Sequence, residues 1–245
     1  MIDHRRNTAT TEAQIRQDVA KHGFHTAFVE GDGYLPRFSY TIGLFHSYGH
    51  PEIICFGLKA SVLNTVLIQA GQLVAQGESL RTNHVYTNFL EAFRVQFLMV
   101  DEAYYADYFG EAGHFYQGWH FPVLQLIWPD QQQRFPWEAE FYAPWKYQQP
   151  LLDRNVDFRF YEEKNLGVYT TWHVLEGKPI LYVYHNSDGN WQFHSEAQPR
   201  VEDAEIVCLE DITRHDLSVN AVYHLPFGWR ASRTNPEAPW RVEEE

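Results

Sequence analysis

Three side chains with metal-binding chemistry crowd one short stretch of the sequence: His46, His50 and Glu52. Two imidazoles and a carboxylate suit zinc or iron, and three protein ligands plus a water make a catalytic arrangement. The i, i+4 spacing of the histidines gives a shared face only on a helix, and Ser47-Tyr48-Gly49-His50-Pro51 is a poor helix. No His-Glu-x-x-His and no Cys pair accompanies them. The preferred reading is a turn in which His50 hydrogen-bonds backbone and Glu52 caps or pairs.

A second constellation joins Tyr40, Thr41 and His50 to Asp130. A phenol, an imidazole and a carboxylate converging at a sheet rim would supply a general acid and base. Otherwise Tyr40 and Thr41 are alternating strand residues and Asp130 serves a Pro-Asp turn. No Gly-x-Ser-x-Gly elbow presents a nucleophile. Gly31-Asp32-Gly33 lacks the following helix of a phosphate loop. A flavin held by strand backbone would leave no motif, so flavin and metal stay open and the cofactor is undetermined. Cys55 and Cys208 lie in apolar runs and read as buried free thiols.

The elements that must position these groups follow from periodicity. Two strand-forming runs, 37–44 and 52–58, each end in Gly-Leu around the His46–His50 loop. Upstream, Ile15 and Val19 sit at helical spacing in a helix starting near Thr10 or Thr11 and stopping at Gly23. Residues 25–30 form a strand that returns through Gly31-Asp32-Gly33. The stripe Val62, Leu63, Val66, Leu67, Ala70, Leu73 and Val74 predicts a helix over 60–76. Strands follow at 82–87 and 93–100, a Tyr-rich helix at 103–110, and a strand at 121–128. This order predicts a mostly antiparallel sheet or partly open barrel with helices packed on it.

The run Phe38-Ser39-Tyr40-Thr41-Ile42-Gly43-Leu44, then Gly49-His50-Pro51-Glu52, then Phe56-Gly57-Leu58 resembles a bacterial family, the domain of unknown function 4262. Phe121-Pro122-Val123-Leu124-Gln125, Trp128-Pro129-Asp130 and Phe135-Pro136-Trp137-Glu138 extend the likeness to about residues 20–140. The resemblance implies no particular activity.

Residues 135–150, dense in aromatics and proline, read as a packing strap. Beyond it, strands are expected at 167–174, 178–184, 191–194 and 204–209. Asp188-Gly189-Asn190-Trp191-Gln192-Phe193, Asp216-Leu217-Ser218 and the closing Gly228-Trp229-Arg230-Ala231-Ser232-Arg233 resemble, more weakly, the domain of unknown function 2185, often grouped with bacterial immunity proteins. The expected fold is α+β in two units, each a mainly antiparallel sheet or partly open barrel with packed helices. They span 1–147 and 158–245, joined by a boundary strap at 148–157.

Charge narrows the partners. The chain carries −13, divided as −5 over residues 1–150 and −8 over the rest. Nucleic acid requires a basic footprint, so it is excluded as a partner. No apolar run is long enough for a bilayer span. The start MIDHRRNTAT lacks an apolar stretch behind its basic residues, so a cytoplasmic protein is expected. The aromatics Tyr104, Tyr105, Tyr108, Phe109, Phe115, Tyr116 and Trp119 read mostly as core, alternatively as an interaction surface.

The leading functional expectation is a non-enzymatic binding protein, of immunity type, that captures a basic protein such as a toxin. Its face would comprise Glu202, Asp203, Glu205, Glu210, Asp211 and Asp216, with contacts from Trp229 and Arg230. The rival is an enzyme or small-ligand binder using the Tyr40, Thr41, His50 and Asp130 pocket.

Overall fold

The computed structural model describes residues 12–138, 140–154 and 158–245. The helix start expected at Thr10 or Thr11, the MIDHRRNTAT segment and the last residues of the expected strap lie outside the described residues. The chain divides into two compact units, one ending at Asp153 and the other running from Arg154 to Glu245. Each is built on an open, mixed six-stranded sheet, so the class is α+β and neither sheet closes into a barrel.

In the first unit, α1 (Glu12–His22) leads into β1 (His25–Val29) and β2 (Phe38–Ile42). A one-turn helix, α2 (Leu44–Tyr48), then precedes β3 (Glu52–Phe56) and the long α3 (Ala60–Ala75). β4 (Tyr86–Leu90) and β5 (Phe93–Met99) form a hairpin, followed by α4 (Tyr105–Tyr108), α5 (Gly110–Tyr116) and β6 (Val123–Ile127). The strand order is β1-β2-β3-β6-β5-β4, with β3 and β6 parallel and the other pairs antiparallel. Every side chain of β3 and β6 is buried, as a central position covered on both faces requires. α3 presses Leu63, Val66, Leu67, Ala70 and Val74 onto Ile53, Cys55, Leu124 and Leu126. Cys55 is fully buried there, and desolvation pushes its thiol up to about 12, leaving it unreactive.

Two helices depart from the expected pattern. Residues 44–48 turn helical between two left-handed glycines, Gly43 (φ 108°) and Gly49 (φ 66°), where a loop was expected. A Cβ at Gly43 would also lie 2.7 Å from Val19 Cγ2, so glycine is required there twice over. The Tyr-rich segment is shorter and splits in two, with α5 following it across a stretch holding Gly110 and Gly113.

In the second unit, β7 (Gly167–Thr171) ends in a short helix, α6 (Trp172–Leu175), where a continuous strand to residue 174 was expected. β8 (Tyr182–His185), β9 (Trp191–His194) and β10 (Ala204–Cys208) precede α7 (Leu209–His215), β11 (Trp229–Ser232) and β12 (Arg241–Glu244). The order is β10-β7-β9-β8-β11-β12, with β7 and β9 parallel. β10 is therefore an edge, and Cys208 on it is exposed rather than buried. Its apolar neighbours in sequence belong to a strand that is itself largely solvated.

The core of this sheet holds two histidines. His185 stacks on Trp191 with ring centroids 3.9 Å apart, and its Nδ1 lies 2.6 Å from the Leu225 carbonyl. Burial lowers the pKa of His185 to about 4, against the opposing pull of that carbonyl; burial lowers His194 to about 4 as well. A histidine with a depressed folded pKa stabilises fully above its unfolded value near 6.5, and that contribution is lost as pH falls towards 4. For His185 the loss amounts to about 3 kcal/mol. We expect denaturant-derived stability to decline over that window, and His185→Asn, which keeps a donor for Leu225 but cannot titrate, to flatten the decline. An unchanged slope in the variant would place the acid sensitivity elsewhere.

Candidate functional site

The signature stretch folds around Glu52, the first residue of β3, whose side chain is fully buried. Thr41 Oγ1 on β2 donates to Glu52 Oε2 at 2.6 Å and itself accepts the Ile53 amide at 2.8 Å. The amides of Gly43 and Phe45 donate to Oε1 at 2.8 and 3.1 Å, and the Tyr116 hydroxyl of α5 donates to the same oxygen. The Tyr116 oxygen in turn accepts the amides of Gly43 and His46, each at 3.2 Å. The amides of Gly43, Phe45 and His46 at the opening of α2, which no intrahelical carbonyl reaches, are thus satisfied by one carboxylate and one phenol. Desolvation raises the Glu52 carboxyl above its ordinary value, and the bonds from Thr41, Tyr116, Phe45 and Gly43 oppose it. Burial and the facing carboxylate likewise hold the Tyr116 phenol protonated.

Tyr116 also lines a cleft of about 710 Å³. Its walls are Arg16 and Val19 from α1, His46 and Ser47 from α2, and Phe115 with Tyr116 from α5. The Arg16 guanidinium sits 5.3 Å over the Phe115 ring and pairs with Glu12 at 2.8 Å. The His46 ring meets Phe115 edge-on at 5.9 Å. Among the described residues no carboxylate lines this cleft, although the chain holds 32 acidic residues. The polar groups that do include the Arg16 guanidinium, the His46 imidazole, the Ser47 hydroxyl and the Gln117 amide, each of which can donate hydrogen bonds.

A second cleft, of about 440 Å³, lies on the other side of α1 and includes Asp18, His22, His25 and Thr26. Asp18 Oδ2 is 2.8 Å from His25 Nδ1, the geometry by which a carboxylate orients an imidazole. His25 Nε2 is buried without a hydrogen-bond partner. Desolvation raises Asp18, but the bonds from His25 and Gln14 outweigh it and leave the carboxyl below its ordinary value. The nearby hydroxyl, Thr26 Oγ1, is committed to Asn64 at 3.2 Å.

The residues singled out in the sequence have separate tasks. His50 Nδ1 bonds the Pro51 carbonyl at 2.7 Å while Nε2 accepts the Leu80 amide at 3.1 Å, which assigns the ring proton to Nδ1 and occupies both nitrogens. His46 faces the cleft and Glu52 faces the α2 amides, so His46, His50 and Glu52 do not converge. Among the described residues no group of three or more His, Cys, Asp or Glu could hold a metal ion. Tyr40 is buried against Phe109, its phenol raised by desolvation. Asp130 is a turn residue: it accepts the amides of Gln132, Arg134 and Tyr142 and pairs with Arg134 Nε at 3.1 Å. Burial raises its pKa, and these donors more than reverse the effect. Neither cleft is lined by Tyr40, Thr41, His50 or Asp130. Thr41 alone reaches the site, through Glu52.

In the second unit Glu202, Asp203, Glu205, Glu210 and Asp211 gather in sequence along and beside β10. Asp216 is spent on Arg233, whose guanidinium is buried. Trp229 and Arg230 lie on β11, separated from β10 by three strands, and Arg230 pairs with Glu243 at 2.9 Å. The expected single face therefore reduces to the β10 edge.

The sequence pointed to Glu52 through its place beside the histidines. It missed Arg16 and singled out Phe115 and Tyr116 only within a wider aromatic cluster, because Tyr116 reaches Glu52 across 64 positions and no local spacing encodes that.

A family model described as "Domain of unknown function (DUF4262)" matches residues 18–142. That span holds the whole Glu52 network and the lining residues of both clefts except Arg16, while the second unit lies outside it. No curated protein and no solved structure matches the chain.

Tyr116→Phe removes one donor from a buried carboxylate and should cost about 1–3 kcal/mol. Glu52→Leu strands the α2 amides and the Thr41 hydroxyl and should cost more, about 3–5 kcal/mol. Thermal and chemical melts check both; a Glu52→Leu protein as stable as the parent would show that the network is dispensable.

Proposed function

The chain belongs to the domain of unknown function 4262 family, and from that premise we propose that its first unit binds a small anionic ligand with an aromatic or apolar body. The cleft between α1, α2 and α5 is the site. One observation carries the reading: in a chain of net charge −13, this cleft is lined by Arg16, His46 and Ser47 and, among the described residues, by no carboxylate. His46 and Arg16 supply charge-assisted or neutral donors for a carboxylate or phosphate, which at Arg16 would compete with the exposed Glu12 that its Nε and Nη2 already bond. Phe115, Tyr116 and Val19 supply the apolar wall that such pockets use to bury the rest of a ligand. Among the described residues no acid lines the cleft to orient His46 as a base, which favours binding over catalysis.

For the second unit we keep the partner class expected from the sequence, a basic protein such as a toxin. It is supported by the five acidic residues that gather at β10.

Benzoate, benzamide and benzamidine share one ring and differ in charge, so together they test the first reading. Thermal-shift and calorimetric titrations should rank benzoate first and benzamidine last. Arg16→Gln should weaken benzoate about tenfold, equivalent to about 1.4 kcal/mol. Phe115→Ala should weaken benzoate and benzamide alike. Binding that ranks benzamidine with or above benzoate, or no binding of benzoate at all, would overturn the proposal.

A further inference from the structure

We propose that β10 is a docking edge to which an extended segment of a basic partner adds as a seventh strand. The proposal rests on the partner-binding reading of the second unit and specifies how the partner is held.

Hydrogen-bond phase shows which backbone groups are available. Leu209 N donates to Leu166 O at 2.9 Å, and the register pairs Cys208 with Gly167, so Leu209 and Leu166 are directly opposed and bonded. Bonded and non-bonded pairs alternate along an antiparallel ladder. Val207–Val168 and Glu205–Thr170 are therefore bonded pairs, and the Ala204 carbonyl, the Ile206 amide and carbonyl and the Cys208 amide point away from β7; the Ala204 amide is taken by the Val201 carbonyl and the Cys208 carbonyl opens α7. β10 ends the strand order, so among the described residues these groups face no further strand.

The side chains match this opening. Ala204, Ile206 and Cys208 project to one face and are all exposed; Ile206 is 65 % exposed and lies opposite the exposed Tyr169. Glu205 projects to the other face and is also exposed. An added strand would lay apolar residues against Ile206 and Tyr169, and alternate basic residues beside Glu205. Glu202 and Asp203 flank one end of β10 and Glu210 and Asp211 the other. Lys164, Arg200 and Arg214 pair with some of these five carboxylates and leave the edge negative.

Charge also decides against a second copy of the chain. Antiparallel self-pairing centred on Ile206 would bring Glu202 of one copy against Glu210 of the other, at both ends. Edge strands use such like-charge clashes to prevent self-association. A segment alternating basic and apolar residues meets the opposite field at both ends.

The probes are two labelled peptides of about eight residues, a common strand length, one alternating Lys with Val and the other Glu with Val. Fluorescence anisotropy with the full chain should show binding of the Lys-Val peptide, at least about tenfold tighter than the Glu-Val peptide and weakening with salt. Ile206→Pro removes an outward amide at a position where an edge strand tolerates proline, and should abolish that binding while circular dichroism stays unchanged. Glu205→Lys, which leaves the backbone intact, should weaken it about tenfold. Lys-Val binding lost in Glu205→Lys but kept in Ile206→Pro would overturn strand addition while sparing the basic-partner reading. Failure of the Lys-Val peptide to bind, or equal binding of both peptides, would overturn both. A dimer in sedimentation that Ile206→Pro dissolves would assign the edge to a second copy instead.

Discussion

A carboxylate removed from water must be given donors, and that requirement on Glu52 organises the first unit. Burying an unpaired carboxylate costs several kcal/mol even after relaxation. The chain meets the cost from three directions: a strand hydroxyl from Thr41, the opening amides of α2, and a phenol from Tyr116 on α5. Each donor constrains its own element. Thr41 fixes the β2–β3 corner, Gly43 must adopt a left-handed backbone to aim its amide inward, and α5 must dock within reach of β3. The residues that make the signature recognisable, Thr41, Gly43, Leu44 and Glu52, are thus the parts of one buried polar knot with Leu44 sealing it from the core side.

The knot explains why a cleft exists next to it. α2 is only five residues long, too short to be stable by itself, and is held by Glu52 and Tyr116 at its start and a left-handed Gly49 at its end. Held so, it presents His46 and Ser47 outward beside Phe115. The same phenol that closes the carboxylate's shell has its ring in the cleft wall, stacked on Phe121 at 4.6 Å. A ligand in that cleft would touch a side chain whose hydroxyl is already fixed, so the site is preorganised on its inner side and adaptable where the half-exposed Arg16 enters.

Legibility in the sequence followed the range of the interactions. The helix Ala60–Ala75 was plain because its apolar stripe recurs every turn, and β3 and β6 because short β-branched runs bounded by Gly and Pro admit few other readings. The helix α5 was hidden by two glycines of low helical propensity. Gly113 is there for packing: a Cβ would lie 2.5 Å from Trp119 Cζ3. Cys208 misled because an apolar run was equated with burial, whereas strand order, a non-local property, made it an edge. Asp130 and His50 were rightly marked as polar groups with work to do, but their partners are backbone amides and carbonyls that carry no sequence signal.

Net charge was the least specific guide. The −13 of the chain suggested one acidic face, yet much of the acidic run is answered locally, by Lys164, Arg200, Arg214 and Arg233. What distinguishes sites is departure from the average. A cleft that no carboxylate of the described residues lines, in an acid-rich chain, is one such departure, and an edge strand whose open backbone groups carry exposed apolar side chains is another. Both are local concentrations of unmet bonding capacity. Desolvating such groups is worthwhile only when a partner replaces what water supplied, so complementary chemistry rather than total charge determines what each can hold.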